Sequence, residues 1–411
     1  MKNVLFALFS LGILLSACTK TKIIKETYQI PIYQKSTEAE AEAGLRQEAP
    51  HQRNGFGNIY VYQTYLLINE RGVGIHIYDN SDTLNPVPLS FMNIPGNMDM
   101  AIQSNVLYAD SYDDLLSLDI SNIHQIQLTQ RLDNVFPQYH PSVGRIIGYK
   151  DTTITYEQEV SNWPFTTYDD DSGTTFELAN TGNQTGTAGS MARFTIAHSH
   201  LYAVDRSNLH TFSIINGSNV QKVNQQAINF FTEVETIFPF GDHLFLGSTD
   251  GVFIYDITNP SSPSYLSQFT HVRSCDPVYV SDSLAFVTLR SNTNNFCTGT
   301  TNQLDELYIQ QIDQPQLLRS FGMSSPHGLG VKDSLLFICE GNMGLKVYNF
   351  QKEYQNNRIS NIKLTQKTWL KNVEAIDIIP LNDRIIVVGK DELNQYAYTI
   401  DGQLRHLSTL N

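Results

Sequence analysis

The chain has 411 residues, a net charge of −14, and 21 tyrosines and 21 phenylalanines against 7 methionines and 2 tryptophans. An acidic balance of that size excludes nucleic acid, whose phosphates need a basic face, and works against peripheral attachment to anionic lipid. The aromatic-rich, methionine-poor composition suits pleated strands, and the length allows one large domain or two to three ordinary ones.

The first 18 residues read as a targeting segment. Lys2 opens a short basic region, and Val4–Leu15 is an apolar run too short to span a bilayer. Leu15-Ser16-Ala17-Cys18 then resembles a bacterial lipobox, which implies that Cys18 becomes the acylated first residue of the mature chain. The competing reading is an ordinary signal peptide with a chance cysteine. The small residues before Cys18 and the Lys-rich polar segment after it favour the lipoprotein. Several acyl chains on one cysteine suffice for stable anchoring. Residues 19–57 are expected to be a flexible tether: KSTEAEAEAGLRQEAPHQRNG is charged and nearly free of large apolar side chains. Within it, IIKETYQIPIY alternates enough to form an edge strand.

Residues 58–411 carry a repeat. Its strongest mark is an apolar run after a turn: YLLIN from Tyr65, LYAD from Leu107, LYAV from Leu201, LFLG from Leu244, AFVT from Ala285, LFIC from Leu336 and IIVV from Ile385. The marks recur about every 40–50 residues, with one gap near twice that, the period of four-stranded propeller blades. A third strand follows each mark and most end in Asp or Asn at a turn, as in GVFIYDITNP and GLKVYNF. Seven marks predict an all-β fold, a seven-bladed β-propeller of four-stranded antiparallel blades. The long gap places an insertion, 138–189, between the second and third blades. In it RIIGYKDTTITYEQEV reads as a hairpin and YDDDSGTTFELANTGNQTGTAGS as a mobile acidic loop, either a tolerated insertion or a lid.

No GxSxG, HExxH, Walker or dinucleotide fingerprint is present, and the acidic clusters near Asp169 and Asp401 lack EF-hand spacing. One constellation emerges from aligning the repeats. Gly57, Asp99, Ala192, Glu235, Asp276, His327 and Glu374 fall at the starts of the first strands, which line a propeller's channel. Four carboxylates and a histidine would then share one mouth, with Arg290 and Glu340 close by to neutralise them or to pair across blades. Such a ring could bind a ligand or a hard divalent cation, Ca²⁺ or Mg²⁺, with His327 admitting a transition metal. The alternative is that each carboxylate caps backbone N–H groups of the next blade. Asp82-Thr83-Leu84, Asp151-Thr152-Thr153, Asp282-Ser283-Leu284 and Asp333-Ser334-Leu335 resemble a Bacteroidetes O-glycosylation motif, although Asp-Ser is also ordinary turn chemistry.

Cys275 and Cys297 are candidates for a disulfide in an exported protein, which would stabilise by roughly 3 kcal/mol in the chain-entropy view. Cys339, inside LLFIC, reads as a buried free thiol. The stretches SCDPV, NNFCTG, NQLDELYI, PHGLGV, LFICEG and GLKVYNF, with GSMARFTIAHSHLYAVD and GVFIYDITNPSSP upstream, resemble the LVIVD-repeat β-propeller lipoproteins of the Bacteroidetes. The resemblance covers the chain from about Asn58 onward and implies the fold and an envelope location, with no defined activity.

The sequence thus leads to a monomeric lipid-anchored propeller at the outer membrane, facing the periplasm. The residues after Cys18 lack the acidic cluster that marks surface export in some relatives. Its expected role is binding or scaffolding, with an envelope protein, peptide or glycan as ligand. The alternative is a hydrolase or lyase working at the channel mouth.

Overall fold

The computed structural model describes residues 20–34, 44–55, 57–136, 145–160, 186–205, 207–217, 219–228, 234–271, 277–291 and 301–410. Seven antiparallel sheets follow one another along the chain as the blades of a propeller. Their innermost strands are Ile59–Tyr62, Met100–Gln103, Phe194–Ala197, Val234–Phe240, Val278–Ser281, Leu329–Lys332 and Asp377–Pro380, for blades 1 to 7.

The burial of each strand follows its place in the blade. Second strands such as Val106–Ser111 and Leu284–Leu289 are buried at all six positions, since neighbouring blades cover both faces, and they therefore read as continuous apolar runs. The outer strand Asn219–Ala227 alternates between exposed and covered positions because one face meets solvent. In blades 1 to 6 the hairpins between first and second strands turn through positive φ, at Asp282 (56°) and Asp333 (54°) in the two best-matched repeats. Aspartate tolerates that conformation better than most side chains, which explains the Asp-Ser signature. In all seven blades the pairing of third and fourth strands slips at a bulge, for example at Ile77/Tyr78, Ile254/Tyr255 and Gln395/Tyr396. A bulge increases local twist, and a recurring one keeps the outer strands turned alike around the ring.

The core lies between blades. Leu284, Phe286 and Tyr308 of blade 5 pack with Leu329, Leu336 and Ile338 of blade 6. The ring closes where Ile59, Leu66 and Ile68 of blade 1 meet Ile379, Ile386 and Leu393 of blade 7. All four strands of blade 7 come from the C-terminal segment, so no strand is exchanged at the seam.

Two segments depart from expectation. Part of the presumed tether is built into the propeller: Arg46–Glu48 pairs antiparallel with Asn93–Phe91 on the outer edge of blade 1. The Gln47 amide explains why so polar a segment docks. It donates to Ser90 Oγ at 2.8 Å and to the Ile123 carbonyl at 2.9 Å, and accepts from Ile126 N at 2.9 Å, so it joins blade 1 to a turn of blade 2. The second departure is Arg145–Val160, one continuous strand and not a hairpin. It pairs with Lys20–Gln34, the edge-strand candidate, in a two-stranded sheet of its own.

Candidate functional site

The end of the expected insertion lies inside the central channel. Thr187 and Ala188 pair antiparallel with Val61 and Tyr60, adding a short strand on the channel side of blade 1. Gly186 N donates to the Ile102 carbonyl of blade 2 at 2.9 Å, and the Ala192 carbonyl accepts from Ile237 N of blade 4 at 2.9 Å. Ser190 reaches the other side of the ring. Its N–H and hydroxyl donate to Asp377 Oδ1 at 3.2 and 3.0 Å, and its oxygen accepts from Leu329 N at 3.0 Å. The composition of Gly186-Thr187-Ala188-Gly189-Ser190 follows from this confinement. A Cβ on Gly189 would lie 1.9 Å from Asp377 Oδ2, and one on Gly186 3.0 Å from the Tyr60 ring. The run that reads in sequence as the close of a mobile loop is a strand made small by its surroundings.

This strand organises the carboxylates at the mouth where the inner strands begin. Asp99 is 1% exposed, and its Oδ2 accepts from Arg193 N at 2.5 Å and Phe194 N at 3.0 Å as the chain leaves the channel for blade 3. Burial pushes the Asp99 carboxyl up, while hydrogen bonds from the Asn58 side chain and these amides pull it back. Behind it, Asp110 Oδ1 accepts from Asn97 Nδ2, Met98 N and Asp99 N at 2.8, 2.7 and 3.0 Å. Burial raises Asp110 to about 7 and Asp377 to about 6. Asp99 and Asp377 are thus engaged as caps of the channel strand and of the entry to blade 3. The carboxylate that faces the channel from blade 7 is Asp377, where the inner strand begins, and not Glu374 three residues earlier.

The remaining candidates are distributed over several local roles. Glu374 Oε2 accepts from Lys390 N at 3.0 Å within blade 7. Glu340, fully buried, pairs with Lys346 at 2.7 Å, and Lys346 in turn lies 5.1 Å from the Trp369 ring centre. His327 shares a 2.8 Å hydrogen bond between Nδ1 and the Ser325 carbonyl. Burial and the Arg290 charge hold it down to about 3, so the structure brings His327 and Arg290 together and keeps the histidine neutral. Glu235 is half-buried in the inner strand of blade 4. Cys339 is free and buried. Cys18, Cys275, Asp276 and Cys297 lie outside the described residues.

Beside the channel strand the channel keeps a cavity of about 220 Å³. Tyr60, Ile102, Phe194, Ile196, Phe238 and Tyr279 line it, with the channel strand as its floor. The Phe238 and Tyr279 rings pack with centres 4.6 Å apart. The Tyr60 hydroxyl is committed to the Phe194 carbonyl at 3.0 Å, and burial raises both Tyr60 and Tyr279. Among the described residues, no carboxylate or basic side chain lines this cavity. Its chemistry suits an apolar or aromatic group. Sequence alignment could not find it, because its walls are ordinary core residue types drawn from five blades.

Among solved structures the chain is similar to a putative 6-phosphogluconolactonase from Bacteroides fragilis, with a TM-score of 0.54 and 8% identity over 87% of this chain and 97% of that one. It is also similar to the periplasmic gluconolactonase of Pseudomonas aeruginosa, with a TM-score of 0.55 and 11% identity over 87% of this chain and 96% of that one. Likeness at such identity shows the propeller fold and carries no activity with it. No protein-family model matches the sequence, and no curated protein does.

Proposed function

We propose that the protein is a lipid-anchored envelope propeller that binds an apolar or aromatic side chain of an envelope polypeptide in a cavity of its channel. The observation that carries this reading is the cavity of about 220 Å³ lined by Tyr60, Phe238 and Tyr279 beside the channel strand. A concave, mostly apolar site with a few fixed polar groups is where a propeller most readily takes a ligand. Where the inner strands begin, the Asp99 and Asp377 carboxylates are already committed to the channel strand and blade 3. The lipobox-like Leu15–Cys18 and the resemblance to LVIVD-repeat propellers support the anchored, periplasm-facing location. A disulfide between the candidates Cys275 and Cys297 would fit that compartment.

The test is titration of the protein with a panel of N-acetylated amino acid amides, aromatic, aliphatic and charged, followed by protein NMR. Saturable binding of the aromatic members that is lost in Phe238→Ala and Tyr279→Ala supports the reading. Absence of saturable binding by every aromatic member overturns it. Turnover of a gluconolactone by the wild type, abolished by Asp99→Asn, would replace it with the hydrolase alternative. The anchor is checked separately: Cys18→Ala should leave the protein soluble after cell fractionation.

A further inference from the structure

Blade 1 carries a second cluster of chemistry-bearing side chains, away from the channel. Glu70 ends its second strand and His76 lies on its third. His76 pairs across the sheet with Ile68 on one side and Phe91 on the other, and Glu70 is two residues beyond Ile68. Strand alternation therefore sets Glu70, His76 and Phe91 on one face. The segment after Arg46–Glu48 then crosses that face and lays His51 against it. The His51 ring centre is 4.3 Å from Phe91 and 4.9 Å from His76.

We propose that His51, Glu70 and His76 form a zinc site that clips the N-terminal segment to blade 1. Their ligand atoms all lie within 4.8 Å of one another. In a tetrahedral site with metal bonds of about 2 Å the ligands stand about 3.3 Å apart. The pair His76 Nε2 and Glu70 Oε2, at 2.8 Å, is already that close, so the exposed His51 has only to swing inward. Two imidazoles and one carboxylate are a donor set that suits zinc and leaves a fourth position for water.

A separate observation points the same way. His51 Nδ1 lies 2.9 Å from the Gln52 carbonyl, and a ring N–H donated there leaves Nε2 as the lone-pair nitrogen. Metal-bound histidines are held in their ligating tautomer by this kind of second contact. Two residues on, Arg53 Nη1 donates to the Tyr78 hydroxyl at 2.6 Å, with its guanidinium 5.2 Å from the ring centre. Arg53 thereby ties the backbone beside His51 to blade 1, and its charge also acts on Glu70 and His76. On binding, the proton between His76 Nε2 and Glu70 moves to His76 Nδ1 or to solvent, and the metal takes its place.

The test uses the full chain and zinc itself. Competition against a chromogenic chelator should give one zinc per chain, and Co²⁺ in its place should show the intense visible absorption of a tetrahedral centre. His51→Ala and Glu70→Gln should each weaken binding by at least about tenfold, while His124→Ala leaves it unchanged. Zinc should raise the melting temperature of the wild type and not that of His51→Ala. His51 is exposed, so His51→Ala should melt close to the wild type in EDTA and separates lost ligation from lost folding. Absence of one-to-one binding, or binding that survives His51→Ala and Glu70→Gln undiminished, overturns the site.

Discussion

Asn80 and Gln395, 315 residues apart, exchange two side-chain hydrogen bonds: Asn80 Nδ2 donates to Gln395 Oε1 at 3.0 Å, and Gln395 Nε2 donates to Asn80 Oδ1 at 2.7 Å. Gln395 also donates to Ser408 Oγ at 3.1 Å, and Ser408 to the Thr83 carbonyl at 2.7 Å. This buried polar pair joins the first blade to the last where no strand does so. Asn80→Ala or Gln395→Ala leaves a buried amide unsatisfied and should cost about 1–3 kcal/mol in denaturant unfolding. The double variant should cost clearly less than the sum, because the second truncation removes the orphan left by the first.

The channel strand gives a steric prediction. Gly189→Ala puts a methyl group 1.9 Å from Asp377 Oδ2, a carboxylate held by Ser190 and unable to swing away. The loss should be about 1–3 kcal/mol, the usual cost of overpacking. Amide exchange at Thr187 and Ala188 should accelerate more than at the outer strands. Equal acceleration everywhere would mean that the strand is not the element disturbed.

Glu306 gives a prediction in pH. It is fully buried between blades 5 and 6, neither carboxyl oxygen has a hydrogen-bond partner, and burial raises it to about 8, with Arg319 pulling weakly the other way. The native state therefore holds a proton that the unfolded chain releases near pH 4.5, so this group's contribution to stability falls as pH rises from about 4.5 to 8. His327, held to about 3, acts in the opposite sense but only below its ordinary value of 6.5. Between pH 6.5 and 8 the carboxyl effect stands clear of it. Glu306→Gln should remove a decline of about 2 kcal/mol across that window. Asp110, raised to about 7, should leave a shallower slope in the variant.

The docked N-terminal segment can be tested by truncation. A chain beginning at Asn54 loses the Arg46–Glu48 strand, the three hydrogen bonds of the Gln47 amide and the Arg53 contact with Tyr78. It should melt several degrees lower, as loss of a few kcal/mol implies for a ring of this size. Gln47→Ala alone should reproduce part of the loss, since it strips the bridge between blades 1 and 2.

The blades were legible because their signal is dense and repeated. Runs such as Leu335–Cys339 and Ile385–Val388 are apolar since neighbouring sheets cover both faces, and aspartate marks turns such as Asp282 and Asp333 where φ is positive. Asp99 was legible as a first-strand start, and of its two sequence readings, capping of the next blade's amides is the contact it makes. Asp377 was missed by three residues, because the stretch before it, where Ala375 bridges to Gly341, lengthens the approach to blade 7 beyond the repeat. The channel strand was not legible at all. Thr187 and Ala188 have no apolar periodicity, and glycine and serine signify confinement here while signifying flexibility elsewhere. The one cue was the run of small residues from Gly186 to Ser190, three residues short of a first strand. The zinc-site residues escaped for a related reason: His51 sits in polar sequence, and its docking depends on Gln47 and Arg53 finding distant partners.

The channel strand also sets an order of events. Ser190 and Asp377 are separated by 187 residues, so the anchor for this segment exists only after the last blade has formed. Loop closure over such a span costs little more than over a shorter one, but contacts this remote in sequence form slowly. Individual sheets can zip locally while the segment at 186–193 still waits for its socket. Interactions absent from the transition state govern how fast a native protein opens, and leave the forward rate nearly untouched. Weakening Gly189, Ser190 or Asp377 should therefore shorten the lifetime of the assembled ring while refolding proceeds at its former pace.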